Sequence, residues 1–324
     1  MKKTLLMPAL LLAIASGGLT GCNKTSADFR IGISQFVVAP ALNEATAGFV
    51  AKVANGMREA GKSVDFDIQR ASGDTSIASS IANSFVSQNK DLILANATPC
   101  LQTAVTATDD IPILGTSITE FASALGLDYD ISEGTGINVS GTSDLAPIDQ
   151  QVEIMTSVFS DANHFGLLYC TDEDNSIYQI EKVKEELSKK GKTFEDITFQ
   201  NSSDLSVALE GKISGIDALY IPTDNTCAEN ASIIDGICGS HSMRVFAGEE
   251  GMCKECGAIT LSISYAELGE ITGQMALDIL LNGADIKTMP IRLVPSEHLK
   301  KKYNPKICEE LGITPPADFE AIEE

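Results

Sequence analysis

The feature that most constrains the fold is an alternation of short apolar runs with longer amphipathic stretches. Runs of about five apolar residues have the length of buried strands, and the stretches between them show helical periodicity. The first series predicts strand Phe29–Ile33, helix Ala41–Ala60, strand Val64–Ile68, helix Ser76–Gln88, strand Asp91–Ala95, helix Leu101–Ala107 and strand Ile111–Leu114. Strands that alternate with helices indicate a parallel sheet covered on both faces.

A second series follows and resembles the first. It predicts helix Gln150–Phe159, strand His164–Tyr169, helices Ile177–Lys190 and Ser206–Ile213, strand Ala218–Ile221, helix Ala228–Ile237, and strands Arg244–Phe246 and Ile259–Ile263. The segments SGDTSIASSIANSFVSQNKDLILANAT and SSDLSVALEGKISGIDALYIPT share an Asp-x-Ser helix start, an apolar stripe, an Asp-led strand and a terminal Thr. Duplication and convergence on a common pattern both explain this, and both give two similar lobes.

Three segments are suited to connect the lobes. They are the glycine- and serine-rich Gly134–Asp144, then Ser262–Tyr265 before a long helix Ala266–Leu281, and Met289–Pro295. Three crossings form a hinge that can absorb large dihedral changes. The predicted fold is α/β, with two doubly wound parallel-sheet lobes joined by a multi-strand hinge. Residues 29–142 with about 266–293 form lobe 1, and 143–265 with about 294–324 form lobe 2.

The N-terminus has the pattern of an export signal. Lys2 and Lys3 precede an apolar run, Leu5–Ala15, which is too short to span a bilayer. The tetrapeptide LTGC, ending at Cys22, resembles a bacterial lipobox, so we expect a signal peptide over 1–21, lipidation of Cys22 and a polar tether over 22–28. A plain signal peptide cut nearby is the alternative. The lipid would hold the protein outside the cytoplasm on the bacterial cell membrane.

Composition argues against several classes of protein. The net charge of −22 and the pI near 4.4 disfavour nucleic acid, whose phosphates require clustered Lys and Arg. Only three histidines occur, and no GxSxG, HExxH or P-loop motif is present, so no enzyme and no cofactor are expected. The pair Cys253 and Cys256 is the only close cysteine spacing, which disfavours a zinc site or any other metal. It lies in a glycine-flanked turn by prediction, so we expect buried or incidental thiols rather than a redox motif.

Polar residues follow the carboxyl ends of the predicted strands, where α/β sheets bind ligands. The first lobe presents hydroxyls and helix amides, which suit a carboxylate, and the second presents acids, which suit an ammonium. The segments concerned are Ser34–Phe36, Asn96–Pro99 and Thr116–Thr119 in the first lobe, and Thr171–Ser176, Pro222–Asn225 and Gly248–Gly251 in the second. Together they predict an α-amino acid held across a cleft. The alternative is that Thr98, Ser117, Thr119 and Asp224 are helix N-caps, and that Phe36 belongs to the core.

The sequence also resembles a known family. The motifs are IGISQF, SGDTSIASSIANSFVSQNKDLILANATP, GINVSGTSDLAPIDQQ, DNS, YIPTDN and ISYAELGEITGQMALDILLNG, between about Arg30 and Pro315. They resemble ABC transporter substrate-binding lipoproteins of the tryptophan/tyrosine-binding type. The resemblance implies a type I periplasmic-binding fold, an aromatic amino acid as ligand, a monomer, and an ABC permease and ATPase as partners.

The resemblance also implies which residues line the cleft. By motif these are Gln35, Thr98, Ser117, Asn175, Ser176, Asp224 and Asn225, and Glu249 follows from general similarity to amino-acid-binding relatives. One departure concerns the ligand, because family members commonly have His-Pro followed by Leu-Asp where this chain has Ala39-Pro40-Ala41-Leu42-Asn43. Two alternatives stay open: a receptor of the same fold for a branched amino acid or a nucleoside, and a sensory or structural lipoprotein without a transport role.

Overall fold

A computed structural model of the chain describes residues 27–127 and 133–323. The predicted signal peptide, the LTGC motif and Cys22 therefore lie outside the described residues. None of the helices in the described ranges combines the length and the apolar character that a membrane crossing requires.

The chain begins with a series of alternating strands and helices. In order these are β1 (Phe29–Gln35), α1 (Pro40–Glu59), β2 (Val64–Arg70), α2 (Thr75–Ser87), β3 (Leu92–Asn96), α3 (Thr98–Ala107), β4 (Ile113–Ile118), α4 (Phe121–Leu125) and β5 (Val139–Ser143). Every strand and helix predicted for this part is present. The strand predicted over 111–114 begins two residues later, at Ile113, and continues to Ile118; its end was missed because Thr116 and Ser117 are polar although buried.

The second series has the same character. It comprises α5 (Ile148–Val158), β6 (His164–Cys170), α6 (Asp174–Lys189), β7 (Thr193–Phe199), α7 (Ser202–Glu210), β8 (Ala218–Ile221), α8 (Asn225–Glu229), α9 (Ala231–Ser240), β9 (Val245–Ala247), α10 (Glu250–Cys256) and β10 (Ile259–Ser262). Strand β7 was not predicted. Helix α7 begins four residues before its predicted start because Asn201, rather than the Asp-x-Ser segment, caps it.

The remaining elements return to both sheets. They are α11 (Tyr265–Asn282), β11 (Arg292–Leu293), β12 (Lys300–Tyr303), α12 (Pro305–Leu311) and β13 (Glu320–Ala321). One sheet has the order β11-β5-β4-β3-β1-β2 and is parallel throughout. The other has the order β13-β12-β10-β9-β8-β6-β7 and is parallel except where β12 runs against β10. The two-lobed α/β fold predicted from the sequence is confirmed.

The two sheets share a winding pattern. The series β2-β1-β3-β4-β5 and β7-β6-β8-β9-β10 follow the same spatial order, in which the connections reverse direction beside the first strand. Such a reversal opens a crevice at the carboxyl ends of the strands. We call the β1–β5 sheet with its helices the first lobe and the β6–β10 sheet with its helices the second lobe.

Helix α11 follows β10 of the second lobe but packs on α1 of the first. The two helices approach closely, since a Cβ atom placed on Gly269 would lie 2.0 Å from the carbonyl oxygen of Ala45, and one on Gly48 would lie 2.2 Å from that of Ala266. Only glycine permits this backbone contact. The chain thus changes lobes between β5 and α5, between β10 and α11, and between β11 and β12.

The cysteine pair is not in a turn, as the sequence suggested, but inside helix α10. Cys253 and Cys256 are the fourth and seventh residues of that helix and are both buried. Burial raises the pKa of each thiol well above its ordinary value, so the reactive thiolate is disfavoured. The seven cysteines within the described ranges are all buried and unpaired, which agrees with the prediction of buried thiols.

Candidate functional site

A cavity lies where the carboxyl ends of the two sheets face each other. The space between the protein atoms there is about 360 Å³, including its mouth. Residues from the first lobe and the hinge line one side: Ala39, Ala41, Leu42, Ser117, Thr119, Asp144 and Tyr265. Residues of the second lobe line the other: Asn175, Thr223, Asp224, Asn225, Ala228 and Glu249. No lysine or arginine of the described residues is among them.

The sequence-predicted site residues divide into two groups. Six of them line this cavity, namely Ser117, Thr119, Asn175, Asp224, Asn225 and Glu249. The other four are buried but do not line it, namely Gln35, Phe36, Thr98 and Ser176.

Gln35 and Phe36 support the cavity from within the first lobe. The Gln35 amide donates to the Val37 carbonyl and to Asn43 Oδ1 at 2.8 Å, and accepts from the Thr46 hydroxyl. This network fixes the start of α1 over the end of β1. Phe36 is buried in the core between the sheet and α2–α3, so the core alternative is the correct one.

Asp224 is an N-cap, as the alternative prediction held. Its Oδ1 accepts from the amide of Cys227 at 2.8 Å, and its Oδ2 accepts from the amide of Cys170 and the hydroxyl of Ser176, both at 2.7 Å. Burial, with the neighbouring Glu173 as a second cause, raises the pKa of Asp224 to about 7. Both oxygens are therefore already engaged by the second lobe.

Glu173 is a buried acid that the sequence analysis did not single out. Its oxygens accept from the amides of Asn225 and Thr226 at 2.9 and 2.8 Å, and from the Asn225 side chain at 2.7 Å. It thereby holds the first turn of α8 against the start of α6. The Asn225 side chain is committed to this contact.

Glu249 caps α10 in a similar manner. Its two oxygens accept from the amides of Gly251 and Met252. Burial raises the pKa of this carboxyl to about 7, against the effect of the two amides. Like Asp224, it is an acid whose oxygens already have protein donors.

The hydroxyls of the first lobe are not helix caps, so that alternative is wrong. Helix α3 follows Ala97, which offers no side-chain cap, and α4 is capped by Glu120. Ser117 has a φ of 56°, an uncommon value for a serine. Its Oγ is buried and has no hydrogen-bond partner among the described residues. Backbone strain combined with an unpaired polar atom is typical of a binding position.

The cavity also contains residues that the sequence analysis missed. Asp144 and Tyr265 occupy two of the connections between the lobes, and the Tyr265 hydroxyl donates to Asp144 Oδ2 at 2.8 Å. Asp144 Oδ1 and Asn175 Oδ1 have no hydrogen-bond partner within the described ranges. Three of the buried polar atoms left unpaired in that part of the chain, counting Ser117 Oγ, thus belong to residues of one cavity.

Small apolar residues complete the wall. Ala39, Ala41 and Leu42 come from the start of α1, where Ala39 occupies the N-cap position and provides no side-chain hydrogen bond. The first turn of this 20-residue helix therefore presents uncapped amides beside the cavity. The only sign of these uncapped amides in the sequence was Ala39, which stands where family members commonly have histidine.

Direct contacts join the lobes across the cavity. The Gln102 side chain of α3 donates to Asp174 Oδ2 at the start of α6 at 2.7 Å, and the hydroxyls of Thr119 and Thr223 lie 3.4 Å apart. The lobes are thus in a closed arrangement.

Residues 30–321 match the ABC transporter substrate binding protein family. A relative named tyrosine-binding protein, from Clostridioides difficile (strain R20291), is 34% identical over 262 residues, which are 81% of this chain and 75% of the relative. A crystal structure of an ABC domain in complex with L-Trp, from Streptococcus pneumonia, is 29% identical and superposes with a TM-score of 0.83, covering 90% of this chain and 100% of the other.

A second solved structure helps to interpret the arrangement of the lobes. The ligand-free, open structure of a substrate-binding protein with adhesive properties from Clostridium difficile is 34% identical, and covers 91% of this chain and 99% of the other, with a TM-score of 0.68. The score is lower although the sequence identity is higher, which agrees with a closed arrangement in this chain. The two-lobed fold, the cavity at the strand ends and the match over nearly the whole described length lead to one conclusion: this chain belongs to the family of ABC transporter substrate-binding proteins.

Proposed function

We propose that this protein is an extracytoplasmic receptor that binds an amino acid with an aromatic side chain between its lobes and delivers it to an ABC permease and its ATPase. The observation that carries the proposal is the cavity between the lobes, where both lobes supply buried polar atoms without partners beside apolar residues. The relatives named for tyrosine and bound to L-Trp support the ligand class.

The two ends of an amino acid have matching groups in this cavity. The carboxylate is expected at the Ser117 hydroxyl and the uncapped amides at the start of α1, since helix N-termini favour anions. The ammonium is expected at one of the three buried acids, Asp144, Asp224 or Glu249, because the cavity lining has these carboxylates and no lysine or arginine among the described residues. Ala39, Leu42 and Ala228 offer apolar contacts to a ring.

The rest of the proposal concerns movement and location. The lobes, 29–142 with about 266–293 and 143–265 with about 294–324, close by rotation about the three connections, and the closed form is what the permease recognises. A lipid on Cys22 holds the monomeric receptor at the membrane. Detection of the mature protein by mass spectrometry, with an acylated cysteine as its first residue, tests this anchor; a mature chain that begins elsewhere without lipid contradicts it.

Thermal unfolding of the purified protein in the presence of the twenty amino acids, nucleosides and sugars tests the ligand class. A ligand at about 100 times its dissociation constant adds roughly 2.7 kcal/mol to the free energy of unfolding. We expect a stabilising shift with Trp, Tyr or Phe. A shift with a branched amino acid or a nucleoside alone would keep the fold and replace the ligand. No shift at all, after unfolding and refolding to remove copurified ligand, would favour a sensory or structural role.

A further inference from the structure

Asp144 differs from the other acids of the cavity in the hydrogen bonds that its carboxylate oxygens accept. Asp224 and Glu249 each have protein donors on both oxygens. Glu249 caps α10 with both, whereas Asp224 caps α8 with Oδ1 and accepts from Cys170 and Ser176 with Oδ2. Asp144 accepts from Tyr265 on Oδ2, whereas no donor in the described part of the chain lies within hydrogen-bond distance of Oδ1, although the Thr119 hydroxyl is close enough to influence the carboxylate. Asp144 is 5% exposed, so its carboxylate is buried in the cavity wall. It is in no ion pair within the described ranges.

A buried carboxylate without a cation is unfavourable. Burial raises the pKa of Asp144, and the hydroxyls of Tyr265 and Thr119 only oppose that effect. An ammonium group donating to the unpaired oxygen would supply both the missing hydrogen bond and the compensating charge.

The place of Asp144 in the fold gives this contact a second consequence. It directly follows β5, where the chain first leaves the first lobe, and its amide donates to the Ile118 carbonyl of β4. Tyr265 begins α11, where the chain returns from the second lobe. The hydrogen bond between them therefore joins two of the three connections about which the lobes would rotate.

We infer that Asp144, rather than Asp224 or Glu249, binds the ammonium group of the amino acid, and that Tyr265 holds it in place and ties the occupied site to the hinge. This inference rests on the proposed function and names the residue that binds the ammonium group. Asp224 and Glu249 then shape the second-lobe wall and cap the helices behind it.

The test compares each amino acid with an analogue that lacks only the ammonium: L-tryptophan with indole-3-propionate, and L-tyrosine with 3-(4-hydroxyphenyl)propionate. A hydrogen bond to a charged group accounts for about 10- to 150-fold in affinity. Wild-type protein should prefer the amino acid by a ratio in this range. Asp144→Asn keeps the shape and the acceptor for Tyr265, and should bind amino acid and analogue about equally.

Asp224→Asn is the matched control, because it removes the charge of the other buried aspartate of the cavity. It should retain the wild-type ratio even if both ligands bind more weakly. Loss of the ratio in Asp224→Asn, with its retention in Asp144→Asn, would assign the ammonium to Asp224 and overturn the inference.

Tyr265→Phe provides a second variant if Asp144→Asn does not fold. Removing the hydroxyl that holds Asp144 should weaken the amino acid several-fold more than its analogue, whereas equal weakening of both would overturn the inference. Failure of wild-type protein to bind either aromatic amino acid would overturn the proposed function and the inference together. Wild-type binding with an unchanged ratio in Asp144→Asn would overturn the inference alone.

Discussion

Asp224→Ala should be among the most damaging single substitutions in the second lobe. The residue is 1% exposed and accepts from the amides of Cys170 and Cys227 and from the Ser176 hydroxyl. Each buried donor left without an acceptor costs about 1–3 kcal/mol, and water entering the vacated space recovers part of that cost. We therefore expect the free energy of unfolding to fall by about 3–5 kcal/mol.

Asn201→Ala is the appropriate control, because Asn201 also caps a helix of the second lobe but is exposed. The loss of an ordinary cap costs about 1 kcal/mol. Urea unfolding followed by circular dichroism measures both variants. If Asp224→Ala is destabilised no more than Asn201→Ala, the buried network does not have the importance that the structure gives it.

The same variant tests the cavity wall. We expect Asp224→Ala to bind the ligand at least about tenfold more weakly, because the start of α8 loses its fixed position beside the cavity. The chain contains no tryptophan, so the fluorescence of added L-tryptophan reports its binding directly. Wild-type affinity in a folded Asp224→Ala variant would remove Asp224 from the site.

Three further predictions concern packing, pH and closure. Gly269→Ala should destabilise the protein by about 1–3 kcal/mol in urea unfolding, because its Cβ would lie 2.0 Å from a backbone oxygen. The control Gly236→Ala, on α9 with no atom near the added Cβ, should stabilise the protein slightly. Equal effects of the two substitutions would contradict the packing argument. Asp224 and Glu249 have pKa values raised to about 7, so the folded protein binds more protons than the unfolded chain between about pH 5 and 7. The stability of the ligand-free protein should therefore fall as the pH rises through this range. A melting temperature that stays constant or rises would contradict this prediction. Gln102→Ala removes a contact between the lobes and should weaken every ligand by the same few-fold factor in calorimetric titration; a ligand-dependent factor would indicate another role.

The strands and helices were predictable where their buried faces produce a regular pattern of apolar residues in the sequence. Strand β8 is a continuous apolar run, and β3 is one up to its last residue, Asn96. Such runs are expected of strands that are covered on both faces. Strand β7 was missed because it lies at the edge of its sheet and carries Glu195 and Asp196, which pair with Lys212 and Lys184. An edge strand with charged residues resembles a loop in a single sequence.

The sequence predicted where the candidate site lies, but not which of its polar atoms lack hydrogen-bond partners within the protein. The rule that ligands bind at strand ends identified Ser117, Asn175 and Asp224 as neighbours. It did not show that the Asp224 oxygens are used within the protein or that an oxygen of Asp144 is not. Hydrogen-bond partners far apart in the chain decide that question, such as Cys170 with Asp224 and Asp144 with Tyr265.

The distribution of the unpaired atoms links recognition to closure. Ser117 belongs to the first lobe, Asn175 to the second and Asp144 to the connection between them. With the lobes apart, water can reach all three; with the lobes together and no ligand, each unpaired atom costs about 1–3 kcal/mol. A ligand that provides donors and an acceptor at these positions removes that cost only in the closed arrangement. Its affinity therefore differs between the two arrangements, and that difference is what a receptor needs if closure is to report occupancy.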